Sequence, residues 1–410
     1  MAGELVSRRT AELFGAVAPV MRFLTESRYA RRSADPGICD FVAGNPQELP
    51  MSSYVEALRR AAEPRHKGWF GYEPIDPESA AAVVPGLRER TGVAFEPDDV
   101  LLTTGAFGAL AVTMRAICDP GDEVVFVSPP WFFYELLIMA AGGTPVRATS
   151  VPPDFDLPVQ EIAAAVTSAT RAVVVNTPNN PTGRIYPPTD LQRLGEVLET
   201  ATRRAGRPVY LISDESYARI LFDGNHHQSP AAHYPRTLLI YTYGKTLLTP
   251  GQRLGYVALP PEMQGRDEVR QALFLTQVAA GYAFPNRLLC HALPELEGLS
   301  MDLEHLEEKR DRMVSALRDM GYDLHVPEGT FYLLPRSPIA DDLEFCDLLA
   351  DQDVFVLPGT FVELPGHFRI SLTANDDMLE RSLAGFAAAM DAAKGATRSP
   401  HGRVAERPAP

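Results

Sequence analysis

One stretch of the chain brings together three side chains that could act on a common ligand: Thr242, Lys245 and Arg253. Apolar runs at 237–241 and 254–259 flank it and predict two buried strands joined by a loop. A lysine in a partly desolvated site can lose its proton and form a Schiff base. An arginine beside a hydroxyl suits a phosphate dianion. This pair fits a cofactor with an aldehyde and a phosphate, such as pyridoxal phosphate (PLP). The alternative is a surface lysine and arginine on a connecting loop.

A second candidate phosphate site lies where a predicted strand at 100–104 meets Gly105 and a helix that begins with Ala106 and Phe107. Backbone N–H groups and the positive end of the helix dipole bind anions at such a helix start. Many α/β turns share this pattern, so it is weak alone. It matches neither the Rossmann glycine fingerprint nor the P-loop.

Further candidate residues follow predicted buried strands, at the sheet edge where open α/β folds bind ligands. Trp131 could stack on a cofactor ring, or could be a core tryptophan. Asn180 offers an amide that donates or accepts hydrogen bonds. Asp214 could keep a ring nitrogen protonated, with Tyr217 facing the same site, or could instead cap a helix.

Three more positions stand out by type and context. Gly44 precedes an Asn-Pro turn and permits close backbone approach. Tyr72 lies in an aromatic loop with glycine hinges, which could equally be a packed Ω loop. Arg369 lies inside a predicted strand, where an arginine usually has a carboxylate partner from the protein or from a ligand.

The bulk composition is that of a soluble globular protein. Its 410 residues are 45% hydrophobic and 22% charged, which suits a large domain with a smaller one. The net charge of −15 argues against a general role on nucleic acid or on anionic membranes. The four cysteines form no CxxC pair, so we expect free thiols and no metal site. No secretion signal or membrane-spanning stretch is evident, which predicts a cytoplasmic protein.

Strands and helices alternate from about residue 95 to 260, which predicts an α/β fold with a mostly parallel sheet and helices on both faces. We expect an N-terminal arm with part of a small domain at 1–45 and a large ligand-binding domain at 46–290. A small C-terminal domain at 291–395 and a disordered tail at 396–410 complete the prediction.

Together these motifs resemble the class I/II aminotransferase family of PLP enzymes, the fold type I or aspartate aminotransferase superfamily, over about residues 44–388. The specific part is their order: Asn-Pro-Thr-Gly from Asn180, Asp-x-x-Tyr from Asp214, Lys245 with an arginine eight residues on, then Arg369 before Ile-Ser. The resemblance implies a mostly parallel, seven-stranded-type sheet sandwiched by helices, plus a smaller α+β domain.

The resemblance also implies a role for each cofactor contact. Lys245 would form the Schiff base and shuttle the α-proton, and Asp214 would salt-bridge the pyridine nitrogen. Tyr217 and Asn180 would bond the ring oxygen, and Trp131 would stack on the ring. The phosphate would be bound by amides around Gly105, by two side chains and by a tyrosine of the neighbouring subunit in an obligate homodimer: Ala106, Phe107, Thr242, Arg253 and Tyr72.

For the substrate, the resemblance implies that Arg369, with Asn180 nearby, holds the α-carboxylate and that the segment of Gly44 closes over it. The implied reaction moves the α-amino group of an amino acid to a 2-oxo acid by a ping-pong mechanism, through an internal aldimine on Lys245. No metal is expected. Thr242 stands where serine is common in the family, and its hydroxyl can do the same work.

The substrate side chain is predicted to be neutral, aromatic or aliphatic. Phe107 stands where many relatives have lysine or another polar residue, and no obvious second arginine is present for an ω-carboxylate. The family layout also places Trp69 and Phe70 near the substrate.

Two alternatives stay open at this point. The same lysine and aspartate also serve β-eliminating lyases, cyclising synthases, decarboxylases and oxidases, and residue identity does not separate these reactions. A regulator that binds PLP without turnover is disfavoured, because only about 40 residues precede Gly44 and they do not form a basic helix-turn-helix.

Overall fold

The computed structural model describes residues 5–398, with the side chains of 396–398 left out. The strands are β1 Cys39–Asp40, β2 Val100–Thr103, β3 Glu123–Ser128, β4 Thr144–Thr149, β5 Thr170–Asn176, β6 Tyr210–Asp214, β7 Thr237–Thr242, β8 Gly255–Ala258, β9 Tyr332–Leu333, β10 Val354–Phe355, β11 Leu357–Pro358 and β12 Phe368–Ser371.

The helices that precede strand β8 in the chain are α1 Arg8–Glu26, α2 Arg28–Arg32, α3 Ser52–Ala61, α4 Pro77–Thr91, α5 Gly105–Ile117, α6 Tyr134–Ala141, α7 Val159–Ala165, α8 Pro188–Ala205 and α9 Tyr243–Thr246. Those after it are α10 Arg266–Ala279, α11 Arg287–Leu296, α12 Leu303–Met320, α13 Asp342–Ala350 and α14 Asp376–Arg398. Short 3₁₀ turns occur at Pro97–Asp99, Pro230–Ala232, Pro250–Gln252 and Gly359–Val362.

The largest sheet has seven strands in the order β2-β8-β7-β6-β5-β3-β4. All neighbouring pairs are parallel except those of β8, which runs antiparallel to both β2 and β7. The predicted mostly parallel sheet is confirmed. The stretch between β7 and β8 is not a plain loop as predicted, because it forms the helical turn α9 and a 3₁₀ turn.

Side chains of the large sheet are buried on both faces, as its parallel strands require. In β3, Val124 and Phe126 pack with helices α5 and α6 in one core. Val125 and Val127 alternate with them and pack with helix α8 in the core on the other face. Helices therefore cover both faces of the sheet. Polar side chains can be placed at the ends of the strands, which the helices do not cover.

A second core lies in the C-terminal part of the chain. It packs α12, α13 and α14 against a three-stranded antiparallel sheet ordered β11-β12-β9, and it includes Cys39 and Phe41 from the N-terminal part. Strand β9 of this sheet contains only two residues. The domain boundaries stay a prediction, and the expected boundary after residue 290 falls inside α11. Residues 399–410 of the expected tail lie outside the described part of the chain.

Two further expectations concern the chain as a whole. Within residues 5–398, no helix is both long and apolar enough to cross a membrane. The four cysteines are free thiols, as expected.

The start of β8 requires a glycine. A Cβ on Gly255 would overlap the carbonyl oxygen of Tyr241 and lie 3.0 Å from Cα of Gly105, so β8 packs directly on β7 and on the first residue of α5. We predict that Gly255→Ala lowers the free energy of unfolding by about 1–3 kcal/mol, because an added methyl group forces backbone shifts.

Gly251→Ala is the matched control, since a Cβ at Gly251 meets no atom within 4 Å. Chemical denaturation of both variants measures the difference. Equal stability of Gly255→Ala and the unmodified protein would contradict this packing.

Candidate active site

A cavity of about 240 Å³ opens at the carboxyl ends of β5, β6 and β7, beside the N-terminus of α5. Most of the predicted site residues line it: Gly44, Ala106, Phe107, Trp131, Asn180, Asp214, Tyr217, Thr242, Lys245, Arg253 and Arg369. Two predicted residues do not line it, Gly105 and Tyr72. The strand ends thus bring together side chains that are far apart in the sequence.

Lys245 reaches the cavity from the short helix α9. Thr242 caps this helix, since its hydroxyl accepts from the N–H of Gly244 (3.4 Å) and donates to the carbonyl of Leu254 (3.1 Å). The Lys245 amine lies 5.7 Å from the ring centroids of Tyr217 and Phe331. Within the described part of the chain no carboxylate forms an ion pair with it. The amine is therefore half-buried among rings without a fixed counter-ion.

Asp214 is a buried carboxylate held by two hydroxyl groups. Its Oδ2 accepts from the Tyr134 hydroxyl at 2.6 Å, and its Oδ1 accepts from the Ser216 hydroxyl at 2.6 Å and the Ser216 N–H at 3.1 Å. Burial raises the pKa of Asp214, and the hydrogen bonds from Ser216 and Tyr134 oppose that rise, as does the charge of Lys245.

Arg369 is buried, with 3% of its surface exposed, and has no carboxylate partner among residues 5–398. Its Nη1 donates to Oδ1 of Asn180 (2.9 Å), its Nη2 donates to the carbonyl of Val42 (3.0 Å), and its Nε has no partner. The guanidinium carbon lies 4.1 Å from the ring centroid of Tyr332. The structural salt bridge considered from the sequence is absent here, so the charge is left for an anionic ligand.

The hydroxyl groups of Tyr217 and Tyr332 meet at 3.4 Å on the floor of the cavity. Burial, followed by the neighbouring Tyr332, raises the pKa of Tyr217 well above its ordinary value, so Tyr217 keeps its proton. A Cβ on Gly44 would lie only 2.5 Å from the Tyr332 hydroxyl. The close backbone approach predicted at Gly44 is thus made to Tyr332.

The N-terminus of α5 and Arg253 form a cationic corner. The N-cap residue Thr104 makes no side-chain capping bond, which leaves the first amides of α5 available. Arg253 donates to the carbonyl of Pro250 (2.7 Å) and has no ion pair with any described carboxylate. Gly105 lies behind this corner, since a Cβ there would be 3.0 Å from the Arg253 guanidinium. A helix N-terminus beside a guanidinium is an anion site.

Several apolar side chains line the cavity and form what we call its apolar wall: Phe107, Trp131, Phe132, Val20 and Leu24. The Phe107 and Trp131 rings meet edge to face at 5.0 Å, with Phe132 beside them. Val20 and Leu24 of helix α1 complete this wall. The only cations that line the cavity, counted over the described residues, are those of Lys245, Arg253 and Arg369.

Two sequence expectations fail at this wall. Trp69 does not line the cavity but stacks on His291, with ring centroids 3.5 Å apart, and its indole N–H donates to Ala61. Phe70 is exposed and also lies outside the cavity. Trp69 is held by its contacts with Ala61 of α3 and His291 of α11, which the sequence did not indicate.

Tyr72 is 92% exposed and contacts the ring of Phe284 at 6.3 Å. It lies on a face with other exposed apolar side chains, among them Ile75 and Leu275. Tyr72 does not reach the cavity of its own chain.

The site also contains residues that sequence reasoning missed: Tyr134, Ser216, Tyr332, Val20 and Leu24. The first two had a local signal, because Tyr134 follows Trp131 by one helical turn and Ser216 follows Asp214 by two residues. The helix carrying Val20 and Leu24 falls in the segment that was predicted only as an N-terminal arm with part of a small domain.

The donor set fits PLP. A half-buried amine, a buried carboxylate and an anion corner with an unpaired guanidinium match the aldehyde, ring nitrogen and phosphate of that cofactor. The buried unpartnered Arg369 adds a site for a carboxylate of the substrate.

Comparison with known sequences agrees with this chemistry. The family model described as aminotransferase class I and II matches residues 36–386. The aspartate/prephenate aminotransferase of Thermus thermophilus is 32% identical over 357 residues, covering 84% of this chain and 89% of that protein. The aspartate aminotransferase of Rhizobium meliloti is 32% identical over 400 residues, covering 92% and 94% of the two chains.

Solved structures agree as well. An aminotransferase from Eubacterium rectale superposes with a TM-score of 0.84 at 26% identity, covering 91% of this chain and 98% of that one. The aspartate aminotransferase from Thermus thermophilus with maleate gives a TM-score of 0.79 at 29% identity, covering 94% and 99%. The chain therefore belongs to the class I and II aminotransferase family and is a PLP-dependent transferase of fold type I.

Proposed function

We propose that the cavity residues hold PLP in the roles that the family resemblance implies. Thr242, Arg253 and the amides of Ala106 and Phe107 bind the phosphate, with Gly105 providing the close approach. This assignment is supported by the uncapped start of α5 beside the unpaired guanidinium of Arg253.

The ring contacts come from the strand ends. Asp214 keeps a proton on the ring nitrogen, Trp131 packs on the ring, and Tyr217 and Asn180 donate to the ring oxygen. When bound, PLP supplies an electron sink that makes the α-proton of an amino acid removable. The Lys245 amine then moves that proton at the α-carbon, since it lies in the same cavity without a counter-ion.

Arg369 binds the α-carboxylate of the substrate, with Asn180 holding the guanidinium in place and the segment of Gly44 excluding water. The α-amino group passes to a 2-oxo acid in a ping-pong reaction. The observation that carries this proposal is the buried Arg369 with an unpartnered Nε and no carboxylate among its contacts. A buried guanidinium is stable when an anion pairs with it.

The substrate side chain is neutral, aromatic or aliphatic. The three cations that line the cavity among the described residues of one chain, Lys245, Arg253 and Arg369, each already have a role, so this chain leaves none for a second carboxylate. The wall where the side chain would lie is formed by Phe107, Trp131 and other apolar groups. Burying a carboxylate there without a cation is costly. This preference separates the chain from relatives that are named for aspartate.

We predict that the unmodified enzyme has a higher kcat/KM for phenylalanine or leucine than for aspartate. Phe107→Lys adds a cation to the apolar wall, so the ratio of kcat/KM for aspartate over phenylalanine rises about tenfold or more, as expected for a hydrogen bond to a charged group. Steady-state kinetics with identification of the 2-oxo acid product measures both.

Phe133→Lys is the matched control, because the Phe133 ring lies 5.2 Å from that of Phe107 but does not line the cavity. It adds the same charge nearby without changing the ratio. A strong aspartate preference in the unmodified enzyme would refute the neutral substrate class, whereas release of ammonia or carbon dioxide in place of a 2-oxo acid would refute transamination.

Lys245→Ala removes the amine that we assign to covalent attachment and proton transfer. We predict that reduction with borohydride no longer fixes PLP to the chain and that turnover falls by about 10²–10⁴-fold or more. Mass spectrometry of the reduced protein and single-turnover kinetics measure these effects. Lys67→Ala serves as the control, since Lys67 is exposed outside the cavity. Normal turnover in Lys245→Ala would show that this assignment is wrong.

We further propose a homodimer in which Tyr72 reaches the phosphate site of the partner subunit. Tyr72 lies on a face where large apolar side chains are exposed, and the Phe284 ring lies 6.3 Å from both Tyr72 and Phe274. An exposed apolar face of this kind favours a protein interface.

A cytoplasmic location is proposed as well, because free thiols suit a reducing compartment.

Light scattering is expected to give about twice the chain mass of 44.9 kDa. The Tyr72→Phe variant is expected to remain a dimer and to bind PLP more weakly. Tyr282→Phe is the control: it changes another exposed tyrosine and should leave the affinity for PLP unchanged. A fully active monomer would contradict the proposal.

A further inference from the structure

We infer that Tyr134 is a positioning residue that keeps the Asp214 carboxylate ionised and in one orientation for the ring nitrogen of PLP. The inference rests on the role proposed above for Asp214. It goes further by assigning the control of that carboxylate to a residue on a different element of the fold.

The geometry places one donor on each carboxylate oxygen. The Tyr134 hydroxyl donates to Oδ2 at 2.6 Å from α6, and Ser216 donates to Oδ1 at 2.6 Å from the turn after β6. Tyr134 is 2% exposed, and within residues 5–398 its hydroxyl has no hydrogen-bond partner other than Asp214. Two donors on opposite oxygens fix the plane of the carboxylate, because rotation about its bond to Cβ would break both bonds.

Tyr134 is itself held firmly. It is the first residue of α6, its N–H donates to the carbonyl of Trp131 (3.1 Å), and its ring meets the Trp131 ring edge to face at 5.4 Å. The same turn of chain therefore carries both Trp131, assigned to the flat face of PLP, and Tyr134. A displacement of this turn would disturb ring stacking and the Asp214 contact together.

The charges around Asp214 support donation by Tyr134. The groups that face the carboxylate are Tyr134, Ser216, Tyr217 and Lys245. Burial and the adjacent Asp214 charge raise the pKa of Tyr134 well above its ordinary value, so its hydroxyl keeps the proton that it donates. Burial also raises the pKa of Asp214, and the bond from Tyr134 counteracts this. Without that bond, the pKa of Asp214 rises further and protonation begins at a higher pH.

The test compares the apoenzyme with its Tyr134→Phe variant by equilibrium binding of two ligands. One ligand is PLP and the other is an analogue whose ring nitrogen is replaced by a C–H group. We expect Tyr134→Phe to bind PLP about tenfold more weakly, as for a lost hydrogen bond to a charged group, with little change for the analogue.

The pH dependence gives a second readout that a purely structural role would not move. PLP affinity falls when Asp214 becomes protonated, so the acid side of the affinity profile should shift to higher pH in Tyr134→Phe. Tyr134→His retains a ring N–H donor and is expected to bind PLP more tightly than Tyr134→Phe.

Tyr234→Phe is the matched control. Tyr234 is equally buried, and its hydroxyl donates to the carbonyl of Val209 at 2.6 Å, away from the cavity. Its loss should change neither affinity. Equal weakening of both ligands by Tyr134→Phe, or no weakening of PLP, would overturn the role of Tyr134. If the unmodified apoenzyme binds PLP and the analogue with equal affinity, the proposed contact of Asp214 with the ring nitrogen is wrong, and the inference about Tyr134 is refuted with it.

Discussion

The burial of Arg369 without a carboxylate partner among the described residues is the constraint on which the active site depends. The protein carries a net charge of −15, yet Arg369 is buried with an unpartnered Nε, and Arg253 has no ion pair with a described carboxylate. The buried Arg369 guanidinium without a counter-ion costs free energy, which an anionic ligand offsets. The cavity therefore suits anions, and among residues 5–398 Asp214, with its two hydroxyl donors, is the single carboxylate that lines it.

The sheet makes this arrangement possible because both of its faces are covered by helices. Polar side chains can then leave the core only at strand ends, and β5, β6 and β7 end side by side. Register brings Asn176 opposite Asp214 on β5 and β6, and the Asn176 side chain donates to the Asp214 carbonyl at 2.8 Å. Strand β8 starts beside Gly105, the first residue of α5, so Arg253, two residues before β8, lies at the helix N-terminus.

The site separates into a part for the cofactor and a part that selects the substrate. The cofactor part uses residue types that PLP chemistry requires, and it agrees with the family to which the chain belongs. The proposed substrate part includes Phe107 and the α1 residues Val20 and Leu24, and among the described residues no cation other than Lys245, Arg253 and Arg369 lines the cavity. Relatives named for aspartate belong to the same family as this chain, and the substrate preference proposed above is where this chain would differ from them.

The sequence by itself determined the candidates for the chemistry: Lys245, Asp214, Asn180 and Arg369 could be singled out because their types and order match what a PLP site needs. It also determined the α/β class, since alternating strands and helices leave few other arrangements. Only the tertiary structure decided that α1 lies over the cavity, that Tyr134 and Ser216 hold Asp214, and that Trp69 packs on His291 instead of on the substrate. The physical reason is that these contacts join elements distant in sequence, and their geometry depends on how helices pack, which local patterns of residues do not specify.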